Sequence, residues 1–202
     1  MGSHRVFLLS PARTSGPRAA ALVAGAGELG RALAAPEGAL LGDVFAYLSS
    51  LYFRGKLAYA LRFGAVGLGA PGALIITPGH GLCRPSTRLT APQLAALGTV
   101  DVSADNPAFV APLLRDAAKL HAAVGVDTEV VLLGSIATGK YVDPLLRVFG
   151  ARLMFPREFV GRGDMSRGGL LLRAVRVEEE LSYAQVEATE RRGRRARRIA
   201  DL

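Results

Sequence analysis

A three-layer α/β sandwich, with a mostly parallel central sheet and helices on both faces, is the fold class this sequence predicts. Three observations lead there. Short apolar runs alternate with longer amphipathic ones. Several of the short runs are apolar at every position, as strands covered on both faces must be. Turn-forming Gly and Pro residues, 24 and 11 of them, separate the runs.

The first strand is expected at Arg5-Val6-Phe7-Leu8-Leu9, and the turn-prone residues 11–16 follow it. Residues 17–24 are Ala-rich with Pro17 in front, the mark of a helix that starts at proline. Residues 25–42, rich in Gly, Ala and Pro, read as irregular. Asp43 is a candidate cap for a helix whose apolar spacing through Val44, Phe45, Leu48, Leu51, Tyr52, Leu57 and Leu61 runs to about Phe63. Ala73-Leu74-Ile75-Ile76-Thr77 is a buried strand, and a Gly/Pro loop carries His80 away from its end. Thr90 caps a short helix through Leu94 and Leu97. Residues 107–124 form an amphipathic helix. Val130-Val131-Leu132-Leu133 is the next strand, residues 134–139 a loop, and residues 141–148 a helix stopped by Gly150. Residues 152–155 form another short strand. Residues 161–169 read as a polar glycine loop, and residues 170–175 as either helix or strand. This body, residues 1–185, is one domain; residues 186–202 are a basic tail.

Composition narrows the function classes. The formal charge is +8, but the tail holds Arg191, Arg192, Arg194, Arg195, Arg197 and Arg198, so without residues 191–202 the net charge is only about +3. Basicity therefore belongs to the tail, which can touch RNA, DNA or acidic partners through charge alone. Trp is absent and aromatic residues make up 6%, which argues against a broad base-stacking platform. The single cysteine, Cys83, excludes an intramolecular disulfide, and no Cys/His cluster has zinc spacing. The expectation is no metal and no cofactor. The opening apolar run is too short for a signal peptide, and no stretch reaches membrane-spanning length, so a bacterial cytoplasmic protein without membrane contact is expected.

Five stretches carry candidate chemistry. Gly25-Ala26-Gly27-Glu28-Leu29-Gly30 matches the dinucleotide-binding glycine pattern, with Asp43 as an acidic partner. The preceding residues suit a helix end better than the strand this motif needs, and a loop in a Gly/Ala-rich chain is the alternative. Gly134-Ser135-Ile136-Ala137-Thr138-Gly139-Lys140 matches a phosphate loop in a strand–loop–helix context, so Ser135, Thr138 and Lys140 are candidate ligand-binding residues. Tyr141 stands where Ser or Thr would hold magnesium, which argues against an NTPase. The alternative is a capped turn with Lys140 in solvent.

Tyr52, Lys56 and Tyr59 share one helix face, and with Arg54 they can line a polar pocket; an amphipathic helix with solvated basic residues is the alternative. His80, at the end of a buried strand, is a candidate acid, base or donor, or a loop histidine bonded to backbone or water. Residues 161–169 set Asp164, Ser166 and Arg167 among glycines that permit close approach of a ligand. Asp164 is the candidate catalytic carboxylate and Arg167 the anion binder. The alternative is a flexible loop in which Asp164 and Ser166 cap the next segment.

Together residues 9–13, 51–56, 75–82, 134–143 and 159–169 give the chain its resemblance to a family of bacterial proteins of unknown function. The resemblance spans the body to about Arg173. More distantly, Leu51-Tyr52, Phe53-Arg54 and His80-Gly81-Leu82 are similar to blocks of a domain of unknown function in actinobacterial and phage proteins. That domain's cysteine-and-lysine strand end is replaced here by Ser10-Pro11-Ala12-Arg13. Its architecture looks similar to the uracil-DNA-glycosylase-like α/β sandwich. The resemblance implies a nucleobase, nucleoside or nucleotide ligand at one cleft formed by Arg13, Tyr52, Arg54, Lys56, His80, Ser135, Thr138, Lys140, Asp164, Ser166 and Arg167. It also implies an N-glycosidic hydrolase or transferase, with Asp164 and His80 as catalytic residues. A noncatalytic phosphate or nucleic-acid binding module, or an adaptor acting through the tail, is the alternative.

Overall fold

The computed structural model describes residues 4–64 and 71–189. The arginine tail lies outside the described residues. The chain opens with β1 (Arg5–Leu9), followed by α1 (Pro17–Val23), α2 (Gly27–Ala34), β2 (Ala39–Leu40) and α3 (Leu41–Phe63). Then come β3 (Ala73–Thr77), β4 (Gly81–Cys83), β5 (Arg88–Leu89), α4 (Ala91–Leu97) and α5 (Pro107–Ala123). The last elements are β6 (Glu129–Leu133), α6 (Gly139–Phe149), β7 (Leu153–Pro156), α7 (Asp164–Val177) and β8 (Tyr183–Gln185).

Six strands form one sheet in the order β4-β3-β1-β6-β7-β8. The central four run parallel, with Phe7 opposite Ala73 on one side of β1 and Val131 on the other. The edges β4 and β8 are antiparallel. β2 and β5 make a separate two-stranded ribbon. The expected α/β sandwich is thus the fold of the described residues.

Alternation along β1 explains the layers. Phe7 and Leu9 face one core, packed with Leu22 of α1, Leu33 of α2, Phe45 and Phe53 of α3, Leu94 of α4 and Leu171 of α7. Val6 and Leu8 face the other, packed with Phe109 and Leu113 of α5 and with Val142 and Leu145 of α6. Successive strand residues point to opposite faces, so a wholly apolar strand needs helices on both sides. The helix after β1 therefore covers one face, and the helix after β6 covers the other. Two adjacent parallel strands send their chains opposite ways, and that divergence opens a crevice at their carboxyl ends.

Local chemistry places the helix ends largely where the residue types predict. Thr90 and Gln93 form a reciprocal capping box on α4. Asn106 accepts the Ala108 N–H at the start of α5. Two expectations are corrected. The Gly25–Gly30 pattern is not a strand-to-helix turn: α1 precedes it, and α2 begins at Gly27, within the stretch read as irregular. No strand aims those amides at a pyrophosphate, so the dinucleotide motif lacks its structural context. The stretch 161–169 is a loop only as far as Gly163; from Asp164 onward it is α7. Gly168 is there for packing. A Cβ on Gly168 would meet the Leu51 carbonyl and Tyr52 Cα at 2.9 Å, and one on Gly55 would meet the Gly168 carbonyl oxygen at 2.7 Å. Glycine at both crossing points lets α3 and α7 touch backbone to backbone.

The long helix α3 is kinked. Ser50 has φ 50 and ψ −129, and Arg18 Nη1 donates to its Oγ at 2.7 Å. At the other edge, Tyr59 Oη accepts the Leu181 N–H at 2.8 Å and donates to Tyr183 Oη at 2.6 Å, which fastens the approach to β8 onto α3. No helix among the described residues is long and apolar enough to cross a membrane.

Candidate functional site

A cleft of about 240 Å³ lies over the carboxyl ends of β6 and β7. Gly134, Ser135, Ile136 and Ala137 of the β6–α6 loop form one wall. Phe155 at the end of β7, with Phe159, Val160 and Gly161 beyond it, forms the other, and Arg167 of α7 closes one end. The walls are mainly apolar, with few polar groups to orient a ligand, which is the usual make-up of a small-molecule site.

Behind the Gly134 wall lies a buried polar cluster. Ser10 directly follows β1 and is 6% exposed; Lys56 of α3 is 1% exposed. Lys56 Nζ is 2.7 Å from Ser10 O and 2.9 Å from Ser10 Oγ. The rings of Tyr52 and Phe53 cover it, with centroids 4.5 and 4.8 Å away. Burial pushes the Lys56 amine down to about 7, and the negative charge of Asp164 works against that fall. The Tyr141 hydroxyl has Ser10 and the Ser135 backbone as neighbours, and burial pushes its pKa up. The Tyr52 hydroxyl is buried without a hydrogen-bond partner. It feels the Arg167 guanidinium nearby, but burial still drives its pKa well above the usual tyrosine value.

Arg167 is held in place by its own loop. Its Nε and Nη2 donate to the Phe159 carbonyl at 3.2 and 3.1 Å. Its Nη1 stands 3.5 Å from Asp164 Oδ1, a carboxylate that is 71% exposed at the first turn of α7. This pair joins the mouth of the cleft to the start of α7. Asp164 does not cap that helix with its side chain.

The expected site residues thus divide. Tyr52, Lys56, Ser135, Asp164 and Arg167 come together around the cleft and its floor. Lys56 does so as a buried group rather than as a solvated or pocket-lining one. Ser166 is exposed and accepts from Arg162 Nη1 at 3.2 Å. Thr138 and Lys140 are exposed beyond the Gly134 wall. At the start of α6, the Asp143 carboxylate folds back against Gly139, where a Cβ would strike its Oδ2. A carboxylate already occupies the helix start that the phosphate-loop pattern pointed to. Arg13 and Arg54 are exposed and open onto two adjoining depressions that share Arg18. His80 is exposed in the β3–β4 turn. It is not in the lining of the β6–β7 cleft, and β1 separates its strand from β6.

Sequence reasoning overlooked Ser10, Tyr141, Phe155 and Phe159. For Ser10 a signal existed: it is the first polar residue after a buried strand, the place where α/β folds put ligand-facing groups. Among the described residues, no group of three or more His, Cys, Asp or Glu side chains could hold a metal ion. No protein-family model, curated protein or solved structure matches the chain, so what this site can do must be read from its own geometry.

Proposed function

We propose that the cleft binds a nucleobase or a nucleoside-type ligand, and that the bound ligand's glycosidic bond is the reacting bond. The carrying observation is the pairing of a mainly apolar cleft, with Ile136, Phe155 and Phe159 in its lining, with Arg167 and its Asp164 partner. Apolar walls suit the faces of a flat ring. The guanidinium and the carboxylate offer the donors and acceptors that a base edge or a sugar hydroxyl requires. A volume of about 240 Å³ is small against the ~300–1,000 Å³ of typical ligand pockets. It suits one base or nucleoside rather than a dinucleotide. In glycosidic cleavage, Asp164 would orient water or stabilise the cationic sugar, and Arg167 would stabilise the departing base.

The test is a thermal-shift series with nucleobases, nucleosides, nucleotides and sugar phosphates, paired with chromatography for released base. A ligand at about 100 times its Kd stabilises the folded state by about 2.7 kcal/mol, a readily measured shift. Arg167→Ala should abolish the shift. Asp164→Asn should keep binding and lose base release. Sugar phosphates alone shifting the protein, or no compound doing so, would refute the reading.

A second reading has its own observation. Arg13, Arg18 and Arg54 surround two adjoining depressions that also include Tyr47. Such a rim suits the phosphate backbone of a nucleic acid in a noncatalytic module, to which the Arg191–Arg198 segment would add charge. Affinity for a nonspecific oligonucleotide should then fall steeply with salt. It should also drop on Arg18→Ala as well as on removal of residues 191–202.

A further inference from the structure

Arg13, Arg18 and Arg54 are exposed and take no part in the β6–β7 cleft. Arg5, Arg62, Arg115 and Arg167 each have a carboxylate partner, but these three form no ion pair among the described residues. No carboxylate and no histidine lines either of the two depressions they border. Guanidinium groups gathered without a counter-charge repel one another. The chain therefore presents a positive potential that an anion from outside would relieve.

Two parts of the chain bring these arginines together. Arg13 and Arg18 flank the turn that starts α1, and Arg54 lies one helical turn after Ser50 on α3. The kink at Ser50 is where they meet: Arg18 Nη1 donates to Ser50 Oγ at 2.7 Å and lies 3.5 Å from the Leu48 carbonyl oxygen. Each depression measures about 370 Å³, and Arg18 lines both. Arg18 is thus anchored through one nitrogen, while its Nε and Nη2 have no partner among the described residues. Ser50 Oγ accepts from Arg18, which leaves the hydroxyl proton to donate elsewhere. Arg54 has no side-chain partner among the described residues, so all five of its N–H groups are open. Arg13 is tied only at Nε, 3.4 Å from Ser15 Oγ. A serine at φ 50 and ψ −129 is costly, and holding it there sets a hydroxyl beside a guanidinium in the lining of one depression.

A phosphodiester inside a nucleic-acid backbone carries a single charge and has two oxygens free of carbon. A terminal phosphate carries about −1.5 to −2 near neutral pH and offers three acceptor oxygens. Arg18, Arg54 and Ser50 supply three separate donor groups to one depression, and Arg13 stands in the adjoining one. We propose that the depression lined by Arg18, Ser50 and Arg54 is a binding site for the terminal phosphate of a monoester. Both guanidinium groups and the Ser50 hydroxyl hold its oxygens, and Arg13 adds its charge from the neighbouring depression. This rests on the arginine rim being a phosphate site, as in the second reading above, and narrows its ligand from a backbone to an end. A small phosphate ester and a phosphorylated nucleic-acid end share this chemistry.

The experiment is isothermal titration of the full chain, at low ionic strength, with methyl phosphate, with dimethyl phosphate, and with one oligonucleotide carrying either a 5′-phosphate or a 5′-hydroxyl. Methyl phosphate should bind at least ~10-fold more tightly than dimethyl phosphate. Its affinity should rise with pH through about 6, where the second phosphate proton leaves; no histidine or carboxylate lines the site to produce that profile. Arg54→Ala, which has no side-chain partner to lose, should weaken binding by at least ~10-fold. Arg18→Lys keeps the charge but not the planar fork and should weaken it by a similar factor. If the Arg18 variant does not fold by circular dichroism, Arg54→Ala decides. Arg152→Ala removes the same charge just before β7 and should leave the affinity unchanged. Preference for the 5′-phosphorylated oligonucleotide over its hydroxyl counterpart assigns the phosphate to a nucleic-acid end; methyl phosphate binding without that preference assigns it to a small ester. No binding of methyl phosphate, equal binding of the two methyl esters, or an affinity indifferent to Arg54 overturns the proposal. An oligonucleotide that binds with steep salt dependence whatever its end, while methyl phosphate does not bind, overturns it and leaves the backbone reading intact.

Discussion

Replacing Lys56 by methionine should change how stability depends on pH, and the size of that change follows from burial. The Lys56 amine falls from the usual 10.5 to about 7 in the folded protein. The unfolded chain therefore binds one more proton than the folded one between those values, and stability must rise with pH across that window. At ~1.4 kcal/mol for each tenfold change in acidity, the full gap is on the order of 4–5 kcal/mol. Between about pH 7 and pH 9.5 the gain should be on the order of 3 kcal/mol. Methionine nearly conserves the volume and cannot titrate. It forfeits the contacts to Ser10 O and Oγ, a loss of about 1 kcal/mol each, but that loss is the same at every pH. The assay is urea unfolding of both proteins at closely spaced pH values. Cys83, which burial pushes up, titrates in both proteins and cancels in the difference. The wild-type curve should climb relative to the methionine curve from neutral pH to about pH 10. Parallel curves would mean that Lys56 stays charged when folded, and the reasoning from burial would be refuted.

Three further outcomes follow from particular side chains. Tyr52→Phe removes a buried hydroxyl that has no hydrogen-bond partner; stability by urea unfolding should be unchanged or rise by about 1 kcal/mol. Tyr59→Phe leaves the half-buried Leu181 N–H without its acceptor and should cost about 1 kcal/mol, with faster hydrogen exchange near β8 as the local sign. Ser50→Gly relieves a serine held at φ 50. It should raise the unfolding midpoint, by about 1 kcal/mol in free energy, unless the lost Arg18 contact offsets the gain.

Most of the fold was legible because the strands are uniformly apolar. Phe7, Leu8 and Leu9, and Val130 to Leu133, announce sheet positions covered on both faces, and strand–helix alternation then dictates the topology. The start of α7 was not legible. Four glycines from Gly161 to Gly169 argue for a loop by propensity, and only contact with α3 makes a helix containing Gly168 favourable. Tertiary packing overrode local preference there. The site was partly legible for a similar reason. Asp164 and Arg167 stand out by composition, and Tyr52 and Lys56 by spacing. Whether a lysine on a helix face turns to water or to the core depends on what the sheet presents to it. Here that is the end of β1, 46 residues away in the chain. His80 was singled out by residue type, but strand order, which spacing does not reveal, put it beyond β1.

The glycine-to-glycine crossing of α3 and α7 has a consequence for how the molecule can accommodate what it binds. Helices interlocked at main-chain distance move as one slab; prying them apart would open a void that no side chain is long enough to fill. Tyr52, Lys56 and Arg167 ride on that slab and keep a common frame, so fitting to a guest falls to the two connecting segments opposite, residues 134–138 and 160–163.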